Sequence, residues 1–150
     1  MNTQDPFNLQ RFLDAQEGEY PQALKEILNG RKTSHWIWFV FPQLRGLGHS
    51  PMADNYGISS LDEARAYWEH PILHQRLIEI SKALLEHSRK RLLHSKKTAF
   101  EILGTIDAIK VRSCMTLFDI VEPNGIFAEV LNAFYDGEQD PLTLEILSCP

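Results

Sequence analysis

Residues 34–51 read SHWIWFVFPQLRGLGHSP, and the fold turns on how residues 36–41, WIWFVF, are taken. Four aromatic rings and two β-branched side chains in six positions are too apolar for a surface loop. A run this short fits a buried strand or a short buried helix, and periodicity favours neither. The neighbours decide. Upstream, Pro21 opens a helical pattern that sets Ala23, Leu24, Ile27 and Leu28 on one face and closes at Asn29-Gly30. Downstream, Ser50-Pro51 has the cap-then-proline order that starts a helix. No alternating segment supplies a partner strand, so residues 36–41 are expected to form a short helix in an all-α fold.

The same logic runs outward. Asp5-Pro6 before Phe7, Leu9, Phe12 and Leu13 marks a first helix, ended by Gly18. Ser60 and Glu63 have capping-box spacing and open a helix carrying Ala64, Tyr67 and Trp68. From Pro71, apolar residues recur at Ile72, Leu73, Leu77, Ile80, Leu84 and Leu85; Thr98 and Glu101 then repeat the box before Gly104. The next helix, 106–121, places Ile106, Ile109, Leu117, Ile120 and Val121 along a buried side. Apolar residues nearly encircle it, so it is expected at the centre. A turn at 122–125, a face from Ile126 to Tyr135 and a start at Asp140-Pro141 complete the chain. The expectation is one compact helical domain over residues 1–150, a bundle of about eight helices without repeats.

Composition narrows the function. At 150 residues, with 43% hydrophobic and 23% charged, the chain can bury a real core. A net charge of −5 argues against phosphate-backbone binding, so nucleic acid is not expected as a partner. The dense basic run at 87–97, HSRKRLLHSKK, reads as a solvated face in preference to a contact for an acidic partner. No stretch approaches the roughly 20 apolar residues of a membrane helix, and the N-terminus lacks the order of a signal peptide. Cys114 and Cys149 form neither a disulfide framework nor a metal-ligand spacing. These readings lead to a soluble cytoplasmic protein without cofactor or metal, whose oligomeric state is not legible.

Two segments carry candidate chemistry. After Pro42 the rings give way to a donor-rich loop, QLRGLGHSP. Gly46 and Gly48 permit close backbone approach, Ser50 heads a helix, and Arg45 and His49 offer donors to a phosphate or carboxylate. The plain alternative is an ordinary turn. Phe39 and Phe41 are assigned to the core, whereas Trp36 and Trp38, each with an indole donor, are candidates for a cleft wall. On the central helix Lys110, Arg112, Ser113 and Thr116 interrupt the apolar pattern and must be paired or line a cleft. The preferred function is therefore binding of an anionic, nucleotide-like small molecule in a cleft near 35–51 and 110–116. The alternatives are a hydrolase, with His35 or His49 as base and Glu63 or Asp62 orienting it, and a protein-interaction module without a pocket.

The stretches WFVFPQLRGLG at 38–48, YGISSLDEARAY at 56–67 and RSCMTLF at 112–118 are distinctive together. They resemble the domain of unknown function eighteen-ten family, with the likeness running from about Phe7 to Leu147. The resemblance implies a mainly helical fold and brings no activity with it. That family usually has serine where this chain has Cys114, which counts against a shared thiol nucleophile. Some members carry the label calpastatin, but inhibitors of that type are long disordered repeats, unlike this chain in length and composition.

Overall fold

The computed structural model describes residues 5–89 and 97–148. Among them are ten helices, two more than the expected eight or so: α1 (Gln10–Gln16), α2 (Tyr20–Leu28), α3 (Ile37–Val40), α4 (Pro51–Tyr56), α5 (Leu61–Glu69), α6 (Pro71–Glu86), α7 (Ala99–Leu103), α8 (Thr105–Val121), α9 (Ile126–Tyr135) and α10 (Pro141–Ser148). Two of the ten, α3 and α7, are little more than single turns. The aromatic run makes the short helix α3, and α7 stays separate from α8 because Gly104 between them takes φ +85°. Extended pairing among the described residues is a single parallel bridge between Leu44 and Ile58.

Local chemistry accounts for most boundaries. Ser50 Oγ accepts from Ala53 N–H and Thr98 makes a full capping box with Glu101, as the spacing predicts. The box expected at Ser60 forms by half. Ser60 Oγ accepts from Glu63 N–H, but the Glu63 carboxylate turns to Ser59 and Arg11 instead. The first helix begins at Gln10, not at the Asp5-Pro6 signal. Asn8 takes φ +52°, and Asp5 reaches forward to accept from Leu9 and Gln10 N–H.

α8 is the axis, packed by α3, α5, α7, α9 and α10. Val111, Cys114, Met115, Leu117 and Phe118 are fully enclosed in one hydrophobic cluster with rings from α1, α5 and α9. The expected buried side of this helix needs correction at its start: Ile106 and Ile109 are 70% and 49% exposed, and so is Leu28 at the end of α2. The first turns of α8 are covered on one side, where Ala108 is fully buried and its carbonyl accepts from Tyr135, while Ile106 and Ile109 lie on the side left open. His87, which stands beside a polar run in the sequence, is buried with Nε2 2.6 Å from the Ile27 carbonyl. Residues 90–96 of the basic run lie outside the described residues. Arg89 pairs with Glu129 at 2.9 Å. No helix among the described residues is long and apolar enough to cross a membrane.

Candidate functional site

The exposed start of α8 forms one wall of a cleft of about 200 Å³. Ile106, Ile109, Lys110 and Ser113 face Trp38, Gln43, Leu47 and Gly48 across it, with Asp140 and Leu142 at the end. A shallower hollow of about 450 Å³ adjoins it, lined by His35, Leu103 to Asp107 and Lys110. Lys110 and Ile106 belong to both.

Each lining group is fixed by its own element. Trp38 lies on α3, half-buried, and Gly48 lets the loop pass against it. A Cβ at 48 would sit 3.2 Å from the Trp38 ring and 2.9 Å from Ala53 Cβ, so a larger residue would shift the wall. The Gln43 carbonyl accepts from Ile58 N–H, and two residues on Arg45 N–H donates to the Ile58 carbonyl, each at 2.9 Å, which fixes the segment beside Ile58. At the far end, Asp140 caps α10. Its Oδ2 accepts from Thr143 N–H at 3.0 Å, from the Thr143 hydroxyl and from Ser113 Oγ, and Arg112 Nη2 stands 3.5 Å from Oδ1.

Charge collects at the junction. Lys110 Nζ sits 4.2 Å from the centre of the Trp38 ring and 3.4 Å from Asp107 Oδ1. Asp107 is held more closely by Lys32, whose Nζ is 2.7 Å from Oδ2. Two ammonium groups against one carboxylate leave a positive charge uncompensated, and the more loosely paired Lys110 carries it toward the cleft. Among the described residues, no group of His, Cys, Asp and Glu is arranged to hold a metal ion.

The structure gathers Trp38, Gly48, Lys110 and Ser113 of the expected residues, with His35 at the adjoining hollow. The others go elsewhere. Trp36 is no cleft wall: it is fully enclosed and donates Nε1–H to buried Glu26 at 2.9 Å. Arg45 turns back to the Asp54 and Gly57 carbonyls, at 3.2 Å each, and neither it nor Gly46, His49 or Ser50 lines the cleft. Its loop runs against α4, where Gly57 leaves no room for a side chain because a Cβ would meet Arg45 Cα at 2.7 Å. Thr116 is buried, donating to the Arg112 carbonyl and accepting from Asp140 N–H. Arg112 belongs to the support of Asp140.

The acid–base set for a hydrolase is not assembled. Glu63 is buried in an ion pair with Arg11 at 2.7 Å and accepts from Ser59, Asp62 pairs with Arg65 on the surface, and His49 is exposed. Burial also pushes the Cys114 thiol well above its ordinary value, which keeps it neutral. Two polar lining groups, Gln43 and Asp140, are not among the residues that the sequence singles out for the site. Gln43 heads the donor-rich loop, and only packing buries it between Pro42 and Leu44; Asp140 is expected as the start of α10, which it caps.

Fold and site together define an all-helical protein in which a central helix and an aromatic turn enclose a small cleft with a lysine at its mouth. The chain belongs to the family described as Protein of unknown function (DUF1810), which it matches over residues 6–147. It is similar to the conserved hypothetical protein Rv1873 from Mycobacterium tuberculosis, at 42% identity over 97% of this chain and 100% of that one, with a TM-score of 0.88. No curated protein matches the chain.

Proposed function

We propose that the protein binds a small anionic molecule, seating its flat or apolar part in the cleft walled by Trp38, Ile109 and Leu142 and its anionic group on Lys110. The observation that carries this reading is the Lys110 ammonium, 4.2 Å from the Trp38 ring where the two hollows meet. A cation held at an aromatic wall with a carboxylate partner already claimed by Lys32 is suited to an incoming anion. The volume supports a modest ligand. About 200 Å³ falls below the ~300–1,000 Å³ of drug-sized pockets, so one ring system fills it and the charged remainder extends past Lys110 into the open hollow.

A thermal-shift screen of phosphorylated metabolites and nucleotides tests the reading, because a ligand that binds only the native state raises Tm. Lys110→Met keeps the apolar stem over Trp38. It should leave the unliganded Tm nearly unchanged and remove most of the ligand shift, since a charge-assisted contact is worth about 1.5–3 kcal/mol. No shift with any anion, or a shift that survives Lys110→Met, refutes it. The exposed rim of Ile106, Ile109 and Leu142 favours a second reading, docking of a protein partner. Under that reading Ile106→Ser with Leu142→Ser abolishes an association that Lys110→Met leaves intact.

A further inference from the structure

Gln43 is a polar group of the cleft whose side chain has no partner among the described residues. The residue is 6% exposed, and its backbone carbonyl accepts from Ile58 N–H. Its amide is not among the enclosed polar atoms left without a partner, which are Ser81 Oγ, Arg112 Nε and Asp119 Oδ1 among the described residues; it meets the solvent of the cleft, where water or a ligand can bond it. Gln43 offers one acceptor and two donors. Beside it the cleft is one-sided. The Ser113 hydroxyl has a single proton, directed to Asp140 Oδ2 at 3.0 Å or to the Ile109 carbonyl at 3.2 Å, so Ser113 presents only lone pairs to the cleft. The Asp140 carboxylate presents only acceptors as well.

Resting on the binding reading above, we propose that this end of the cleft selects an amino-substituted heteroaromatic ring, the edge chemistry of an adenine nucleotide, over its oxo counterpart. An exocyclic amino group donates to the Ser113–Asp140 end, while the neighbouring ring nitrogen accepts from the Gln43 amide. That edge is the 6-amino group with N1, where the oxo ring carries an acceptor and an N–H in exchange. An oxo ring reverses the pattern. The amide of Gln43 can turn to match it, but Asp140 has no proton to give and Ser113 can give its own only by breaking its bond to Asp140 or Ile109, so the oxo ring meets acceptors or costs a buried bond. The discrimination therefore comes from Ser113 and Asp140, and the anchoring from Gln43.

Adenosine monophosphate and inosine monophosphate differ at this edge alone, and calorimetric titration of both into the unaltered chain tests the proposal. Adenosine monophosphate should bind at least about tenfold more tightly, the scale of one well-placed edge contact. Equal affinities, both lost in Lys110→Met, overturn the edge assignment while the anion site stands. Binding of neither overturns the edge assignment, and the anion site is then overturned only if the wider set of phosphorylated metabolites also gives no shift. Gln43→Met adds a readout that a purely structural role would not give: its unliganded Tm should hold, because the amide makes no side-chain bond among the described residues, while affinity for adenosine monophosphate falls. A lowered Tm with unchanged affinity makes Gln43 a structural residue and overturns its role here.

Discussion

Glu26 shows how much one buried side chain organises. Its Oε1 accepts from the backbone N–H groups of Thr33 and Ser34 and from Trp36 Nε1, while Oε2 accepts from Ser34 Oγ and Gln22. The carboxylate thus folds the 31–36 segment over α2 and sets the depth at which the aromatic run enters the core. Burial pushes its carboxyl up, but the bonds from Ser34, Thr33, Gln22 and Trp36 outweigh that and hold it well below its ordinary value. A carboxyl depressed in the folded state contributes stability that is fully present above its unfolded pKa, near 4.3, and is lost as pH falls through the folded value. Glu26→Gln should cost about 1–3 kcal/mol at neutral pH, since its NH₂ faces donors that no longer find an acceptor. Urea melts between pH 7 and 2 should show the parent and the variant converging as acid is added. A gap that stays constant down to the lowest pH refutes this account of the carboxylate.

At the scale of elements, α10 is held by polar bonds more than by burial. Thr143 is its one fully buried residue, and Leu142, Leu144 and Ile146 stay substantially exposed. What ties the helix to α8 is Asp140, which caps it, takes the Ser113 proton and stands beside Arg112, while its own N–H donates to Thr116. Removing a cap alone costs about 0.5–2 kcal/mol. Asp140→Ala should therefore exceed the lower part of that range, and hydrogen exchange should rise in residues 141–148 while the core of α8 keeps its protection. Asp140→Asn, which can still cap, should restore part of the protection. Because Leu142 and Asp140 also close the cleft, the alanine variant should lose ligand-induced stabilisation along with α10 order.

For the molecule as a whole, α8 is the member that the others enclose. Leu117 is fully buried with Phe118, whose ring packs against Tyr67 of α5 and Phe127 of α9 at 5.4 and 5.7 Å between centroids. Leu117→Ala should cost about 2–5 kcal/mol in denaturant melts with an unchanged m-value, because it leaves a cavity in a core shared by several helices. A loss of the size of a surface substitution would make α8 peripheral. By contrast Arg45→Ala removes donors from the Asp54 carbonyl at an exposed turn and from the Gly57 carbonyl, which Arg11 also reaches at 3.1 Å; it should cost no more than about 1 kcal/mol and leave ligand binding intact.

The sequence by itself determined the helical class, the positions of most helix starts and the centrality of α8. These are local matters: a serine two or three residues before an amide, a proline in a first turn, an apolar residue every third or fourth place. It also separated Phe39 and Phe41, which pack in the core, from the polar loop after Pro42. Which polar residues meet was decided by tertiary structure alone. Trp36 and Trp38 look alike along the chain, yet two positions apart on one short helical turn they point to opposite surroundings, one to Glu26 and the other to Lys110. Arg45 has the chemistry of an anion ligand, but the carbonyls of Asp54 and Gly57 reach it first. Gln43 and Asp140, 97 positions apart, become neighbours of one cleft because α10 returns across α8 beside the aromatic turn. Helix formation depends on near neighbours in the chain, whereas a cleft depends on distances that only packing sets.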